Sequence, residues 1–199
     1  MALKTFVKIS NVSSLSDARY CAGMMVDVIG FNIDPLSEDQ LSAEDFSEIT
    51  EWIAGVQFAG EFYDAGVHLI KDTLLKYQVD VIQINDLNMV EEMHLIGKPI
   101  IFRMDMDDTK LPKLKSMLSY LDELVDTVLI KCDDPQLYDE LDAQIGYYNG
   151  NIRLLKGYGV TESNHLSKFP GIELEATEED QPGFKDYGEI MDVLEEIEE

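Results

Sequence analysis

Eight short apolar runs recur along the chain, each separated from the next by a stretch with helical periodicity. This alternation limits the fold more than any other feature. The runs are TFVKIS (5–10), DVIGFN (27–32), AGVQFA (54–59), DVIQIN (80–85), PIIFRM (99–104), TVLIKC (127–132), IRLLKG (152–157) and GIELEA (171–176). They are rich in Val, Ile, Leu and Phe and lack strict apolar–polar alternation, the pattern of strands covered on both faces. Helices are predicted at 14–24, after Ser42, and at 63–77, 87–96, 111–124, 135–145, 161–168 and 185–198. Ser14 or Ser16 caps the first, Ser42 opens the second with capping-box character, and Pro135 suits the first turn of the sixth. Eight βα units with no long linker predict a parallel sheet closed into one (β/α)8 TIM barrel over residues 1–199. At about 25 residues per unit it lies near the compact limit of that fold. The ending DVLEEIEE keeps Ile190, Val193, Leu194 and Ile197 at helical spacing, so it reads as a docked helix with a solvated face.

In such a barrel, chemistry gathers at the C-terminal ends of the strands. On the predicted boundaries those ends carry Lys8, Ser10 and Asn11, Asn32 and Asp34, Gln57 and Ala59, and Gln83 and Asn85. The later strands supply Arg103 and Asp105, Lys131 and Cys132, Lys156 and Gly157, and Glu173 and Glu175. Period-two alternation puts Lys8 with Ser10, and Glu173 with Glu175, on common faces. Three lysines, an arginine and two glutamates can thus converge on one mouth, where a small-molecule ligand is expected. The plainer reading is that some of them flank the barrel and pair with helices. Lys131 itself has two readings. It is a Schiff-base nucleophile if desolvated near a second cation such as Lys8, Arg103 or Lys156. It is a counter-ion if it and Lys156 pair with Glu173 or Glu175.

Composition narrows the partners. Forty acidic residues against 15 basic ones give a net charge of -25. Such a surface repels nucleic acid and anionic membrane, so neither is expected as a partner, and the acidity reads as solubility. Cys21 and Cys132 form no CxxC pair or disulfide framework, which suits a reducing compartment. The opening MALKTFVKIS lacks the apolar core of a signal peptide, and no apolar run approaches about 18 residues, so a cytoplasmic protein is expected. His68, His94 and His165 are scattered without ligand spacing. No metal and no cofactor are expected, and no apolar pattern assigns an oligomeric state.

Taken together, four stretches resemble phosphoribosylanthranilate isomerase, the tryptophan-pathway enzyme that performs an Amadori rearrangement. VKISNVSSLSDAR is similar to that family's opening VKICG segment, and VDVIGFNIDPLSEDQLSAEDFSEI to its second strand and loop. VDVIQIND resembles its V-Q-L-H-G strand, and GIELEATEEDQPGFKD its ending, with Pro182-Gly183 and Lys185-Asp186 intact. The resemblance implies the same barrel, but the departures fall on functional positions. Ser10 stands at the place of the general-base cysteine and Lys131 at that of the general-acid aspartate. Asp39 replaces an arginine, and Asn85-Asp86 replaces His-Gly. Gly157-Tyr158-Gly159 stands at the Ser-Gly-Gly phosphate cradle and Glu175-Ala176-Thr177 at the Ser-Ser-Gly. The Gly-rich stretch after strand six is missing from KCDDPQLYDEL.

A serine abstracts a proton only when another group takes its own. A Ser10–Lys131 dyad would require a lysine with a strongly lowered pKa; Lys131 as a protonated acid would rescue only half of the mechanism. Phosphate fares worse. One carboxylate about 5 Å away costs on the order of 3 kcal/mol at an effective dielectric near 20, and the eighth loop carries Glu175, Glu178, Glu179 and Asp180. The sequence therefore favours a degenerate isomerase-like barrel. It leaves open an active isomerase with altered residues, another barrel enzyme using Lys131, and a partner protein acting through its acidic surface.

Overall fold

Strands that are apolar on both faces must bury both, and a closed barrel wrapped in helices does so without leaving an edge. The computed structural model of the chain describes residues 3–161, 169–176 and 188–198. Its strands are β1 (Phe6–Ser10), β2 (Val28–Asn32), β3 (Gln57–Glu61), β4 (Val81–Ile84), β5 (Ile100–Met106), β6 (Thr127–Cys132), β7 (Arg153–Lys156) and β8 (Gly171–Glu175). All pair in parallel and in chain order, and β8 closes the ring against β1. The described helices are α1 (Leu15–Gly23), α2 (Ala43–Thr50), α3 (Val67–Leu74), α4 (Val90–His94), α5 (Leu114–Leu121), α6 (Tyr138–Ile145) and α7 (Gly188–Glu196). The fold class matches the sequence-based expectation. The single helices expected at 87–96, 111–124 and 135–145 each begin with a 3-10 turn, at 87–89, 111–113 and 135–137. The helix expected at 161–168 falls almost wholly outside the described residues.

One strand differs in position. The run 54–59 was expected to be β3, but the strand starts at Gln57 and ends at Glu61. Gly55 has φ of 85°, a left-handed conformation, so Ala54–Val56 belongs to the turn out of α2. The shift moves Gln57 to the base of the barrel and Ala59 into its apolar layer, and it delivers Glu61 to the mouth.

Side chains inside the barrel fall into two levels. The lower level is apolar: Val28, Ala59, Val81, Ile101, Leu129 and Leu155, with Phe6 packed against them. The upper level is polar and is described below. Outward-facing residues such as Val7, Ile9, Ile29, Ile82, Phe102 and Ile130 form the main core between sheet and helices.

Much of the acidity is spent on backbone N–H groups. Ser14 caps α1 by accepting from Asp17 N at 3.2 Å, and Ser42 caps α2 by accepting from Asp45 N at 3.1 Å. Asp86, Asp107 and Asp134 open the turns after β4, β5 and β6 in the same way. A second set lies at the opposite end of the barrel. Asp27 accepts from Val7 N at 2.8 Å and returns its own N–H to Val7 O. Asp80 does the same with Phe58, and Asp126 with Ile100. Each even strand from β2 to β6 is thus latched to the start of the odd strand before it by a carboxylate. Asp27→Ala removes one latch and is expected to lower stability by about 1 kcal/mol in urea unfolding, with the barrel otherwise intact.

Candidate functional site

The upper level of the barrel holds ions rather than a hollow. Lys8, Ser10, Glu61 and Glu173 are each 3 % exposed or less. Lys8 Nζ lies 2.5 Å from Glu61 Oε1 and 3.6 Å from Glu173 Oε1 and also donates to Ser10 Oγ. Ser10 in turn donates to Glu173 Oε1. The other Glu173 oxygen accepts from Lys131 Nζ at 2.8 Å, and Lys131 reaches out to Glu175 at the same distance. Strands one, three, six and eight are therefore joined by one chain of charge across the barrel axis.

Two glycines make room for it. A Cβ on Gly30 of β2 would sit 2.1 Å from Glu61 Oε1 and 3.1 Å from Lys8 Nζ. A Cβ on Gly157 would sit 2.6 Å from Lys131 Cδ and 3.0 Å from Glu173 Oε2. Gly157 also donates its N–H to Ile130 O at 2.9 Å, so that amide is already engaged and does not point to an anion.

The ions perturb one another. Burial pushes the Glu173 carboxyl up, but Lys8, Lys131 and the Ser10 hydroxyl outweigh it and hold the group below its ordinary value. Burial pulls the Lys131 ammonium down, yet Glu173 and Glu175 hold it above its ordinary value. A lysine so placed stays protonated. It has none of the lowered basicity a Schiff-base nucleophile needs, because its neighbours are carboxylates rather than a second cation. Ser10 and Lys131 meet only through Glu173, not as a dyad.

The rim is organised by Asp34. Its carboxylate is fully buried and accepts from the N–H groups of Leu36, Tyr63, Asp64 and Ala65 at 2.6–3.0 Å, tying the loop after β2 to the loop after β3. Burial alone would raise this carboxyl, and the four backbone donors bring it below its ordinary value instead. The clamp places Tyr63 with its hydroxyl 3.2 Å from Glu61 Oε2 and 3.3 Å from Asn11 Oδ1. Burial and the Glu61 carboxylate raise the phenol, so it remains a neutral donor. Asn11, directly after β1, has φ of 57°. Asparagine is the side chain that best tolerates this left-handed region where glycine is absent.

Arg103 lies over the Tyr63 ring at 5.4 Å and gives its Nε to Asp105 at 2.9 Å. Gln83 is buried beside Glu61 in the strand register, and neither polar atom of its amide has a partner among the described residues. Asn85 is half-buried. Asp39 is exposed on a groove of about 690 Å³ that it shares with Asn11, Asn32, Gln40, Glu175 and Ala176. Lys156 alone of the expected cations turns away. Leu155 is the inward residue of β7, and Lys156 Nζ lies 3.1 Å from Asp142 of α6, beside Tyr158. Its expected pairing with Glu173 or Glu175 is therefore replaced by a sheet-to-helix ion pair.

No protein-family model and no curated protein matches this sequence. Solved structures match it throughout. Phosphoribosylanthranilate isomerase from Thermotoga maritima is 20% identical with a TM-score of 0.77, and the match covers 97% of this chain and 98% of that one. The fold is that of phosphoribosylanthranilate isomerase. A phosphoribosylanthranilate isomerase solved with reduced 1-(o-carboxyphenylamino)-1-deoxyribulose 5-phosphate matches at 19% identity and TM-score 0.73, over 97% of this chain and 98% of that one. The Pyrococcus furiosus enzyme matches at 16% and 0.73, with the same coverage. Of the residues expected from the sequence, Ser10 and Lys131 are brought together through Glu173, while Asp39 and Asn85 are not part of that cluster. Glu178, Glu179 and Asp180 of the eighth loop lie outside the described residues. Among the described residues there is no group of His, Cys, Asp and Glu able to hold a metal, and no helix is long and apolar enough to cross a membrane.

Tyr63 and Glu61 are the site residues that the sequence does not single out, and Glu61 is the one that could have been inferred. A signal for it exists: Lys8 and Lys131 both face inward, and the unshifted β3 leaves Glu173 as the one deeply buried carboxylate to meet them.

Gly30→Ala drives a methyl into the Lys8–Glu61 contact and is expected to destabilise the fold by about 3 kcal/mol, measured by urea unfolding. Acid acts on the same groups. Glu173 and Asp34 bind protons less readily when folded than when unfolded, so their contribution is full at neutral pH. It is lost as pH falls from 4.5, the ordinary value of the glutamate, through the folded values. Glu173→Gln should unfold more easily at neutral pH and show a shallower loss of stability on acidification.

Proposed function

We propose that this chain is an isomerase-like barrel without isomerase activity, which uses its mouth to bind a small ligand that carries no phosphate. The observation that carries the reading is the chain of ion pairs through Lys8, Glu61, Glu173 and Lys131, with Ser10 held inside it. The Amadori rearrangement needs a base to remove a proton and an acid to deliver one, with pKa values on either side of working pH. Ser10 is 1 % exposed and donates to a carboxylate that is itself a weakened base. Lys131 retains a proton but is committed to two carboxylates. A phosphate would meet Glu175 at the mouth, and the Gly157 amide is unavailable to hold it. Continued isomerase activity would require this network to break and rebuild around the substrate, at several kcal/mol for each buried charge left unpaired.

Purified protein incubated with phosphoribosylanthranilate should show no turnover above background, and expression should not restore growth of an isomerase-deficient tryptophan auxotroph. Growth of that strain would overturn the reading. The amine of Lys131 is expected to stay silent as well: borohydride trapping with pyruvate or a simple aldehyde should give no adduct that disappears in Lys131→Ala.

A further inference from the structure

One sector of the mouth is left unsatisfied among the described residues. On β4, Val81 belongs to the interior layer and Ile82 and Ile84 to the outer core, so Gln83 projects into the barrel. It is 1 % exposed, and both its Oε1 and its Nε2 lack a partner among the described residues. A buried amide with neither end engaged is costly, on the scale of a lost hydrogen bond at each end, and leucine of similar length would avoid the cost. On the neighbouring strand, Gln83 pairs in register with Ile101 and Ile84 with Phe102. Arg103 therefore lies one side-chain layer above Gln83, toward the rim. Its guanidinium is steadied from two sides, by Asp105 at Nε and by the Tyr63 ring. Among the described residues the paired terminal nitrogens of Arg103 take no hydrogen-bond partner. That edge of a guanidinium is the planar fork that fits a carboxylate.

We propose that Arg103 and Gln83 form a recognition site for a small 2-hydroxy or 2-oxo carboxylic acid. The carboxylate takes the terminal edge of Arg103, and the adjacent hydroxyl or carbonyl oxygen meets the amide of Gln83 below it. An amide offers both a donor and an acceptor, so it serves either oxygen. The Asp105 and Tyr63 contacts fix the guanidinium before the ligand arrives and leave its terminal edge open. The acidic rim disfavours ligands of higher negative charge and so limits the site to monocarboxylates. This inference rests on the reading of the mouth as a binding site. Turnover of phosphoribosylanthranilate would remove that reading and leave the titrations below standing; flat titrations would remove this inference alone.

Lactate, as each enantiomer, propionate and lactamide separate the two contacts. Propionate lacks the hydroxyl, and lactamide lacks the charge. In an NMR titration of the full chain, one lactate enantiomer is expected to saturate and to bind at least about tenfold more tightly than propionate or lactamide. Arg103→Gln should abolish the preference over lactamide, and Gln83→Leu the preference over propionate. Gln83→Leu should also raise the melting temperature of the free protein, because it replaces an unpartnered buried amide with an apolar group. Any of three results overturns the proposal: neither enantiomer saturates, either preference survives its substitution, or Gln83→Leu melts below the wild type.

Discussion

An ammonium group with no exposure to water needs acceptors and a compensating charge beside it, and Lys8 has that requirement at the centre of this barrel. Glu61 and Glu173 meet it, and nearly everything about the mouth follows. Gly30 has no side chain because Glu61 must cross β2 to reach Lys8. Ser10 turns into the same cluster because a hydroxyl can accept from the ammonium and donate to Glu173 at once. Lys131 completes the second carboxylate, and Gly157 yields the volume its stem occupies. A polar network in the interior is stable only when every member is satisfied. In this one, Ser10 and Lys131 are both members of the network.

The same cluster explains why so much of the fold was legible in the sequence and one part of the site was not. Seven strands announce themselves as runs of branched and aromatic residues between turn residues, and pairing them in order leaves little choice. β3 does not. Its upper half, Ala59-Gly60-Glu61, consists of poor strand formers, while the preceding Ala54-Gly55-Val56 continues the apolar run backwards. Gly60 has little room for a side chain because the Ile33 side chain presses on it, a reason that exists only in three dimensions. Glu61 was hidden with it. Lys156 was misplaced for the opposite reason. Its strand was found, but which face a strand end presents depends on one residue of register, and Asp142, its partner, lies on a helix.

The resemblance to an enzyme family and the geometry of the mouth meet in the loop contacts. Asp34 holds two loops together through four backbone donors, and those loops carry Tyr63, which bears on Asn11, Glu61 and Arg103. A rim held this firmly stands over a floor occupied by ion pairs. The mouth is then one arrangement with two parts: a scaffold that keeps its loops in place and a floor with its charges already matched.

The three aspartate latches at the base of the barrel divide it unevenly. Asp27, Asp80 and Asp126 bolt β1 to β2, β3 to β4 and β5 to β6, whereas the residue before β8 is Pro170, which has neither a carboxylate nor an N–H to give. β7 and β8 share two register pairs, as do β1 and β2, while β8 and β1 share five. Of the four odd–even strand pairs, three are therefore clasped at the base by an aspartate, and among the described residues β7–β8 is the pair that is not. Seen as a machine part, the barrel is a hoop whose seam lies between β7 and β8.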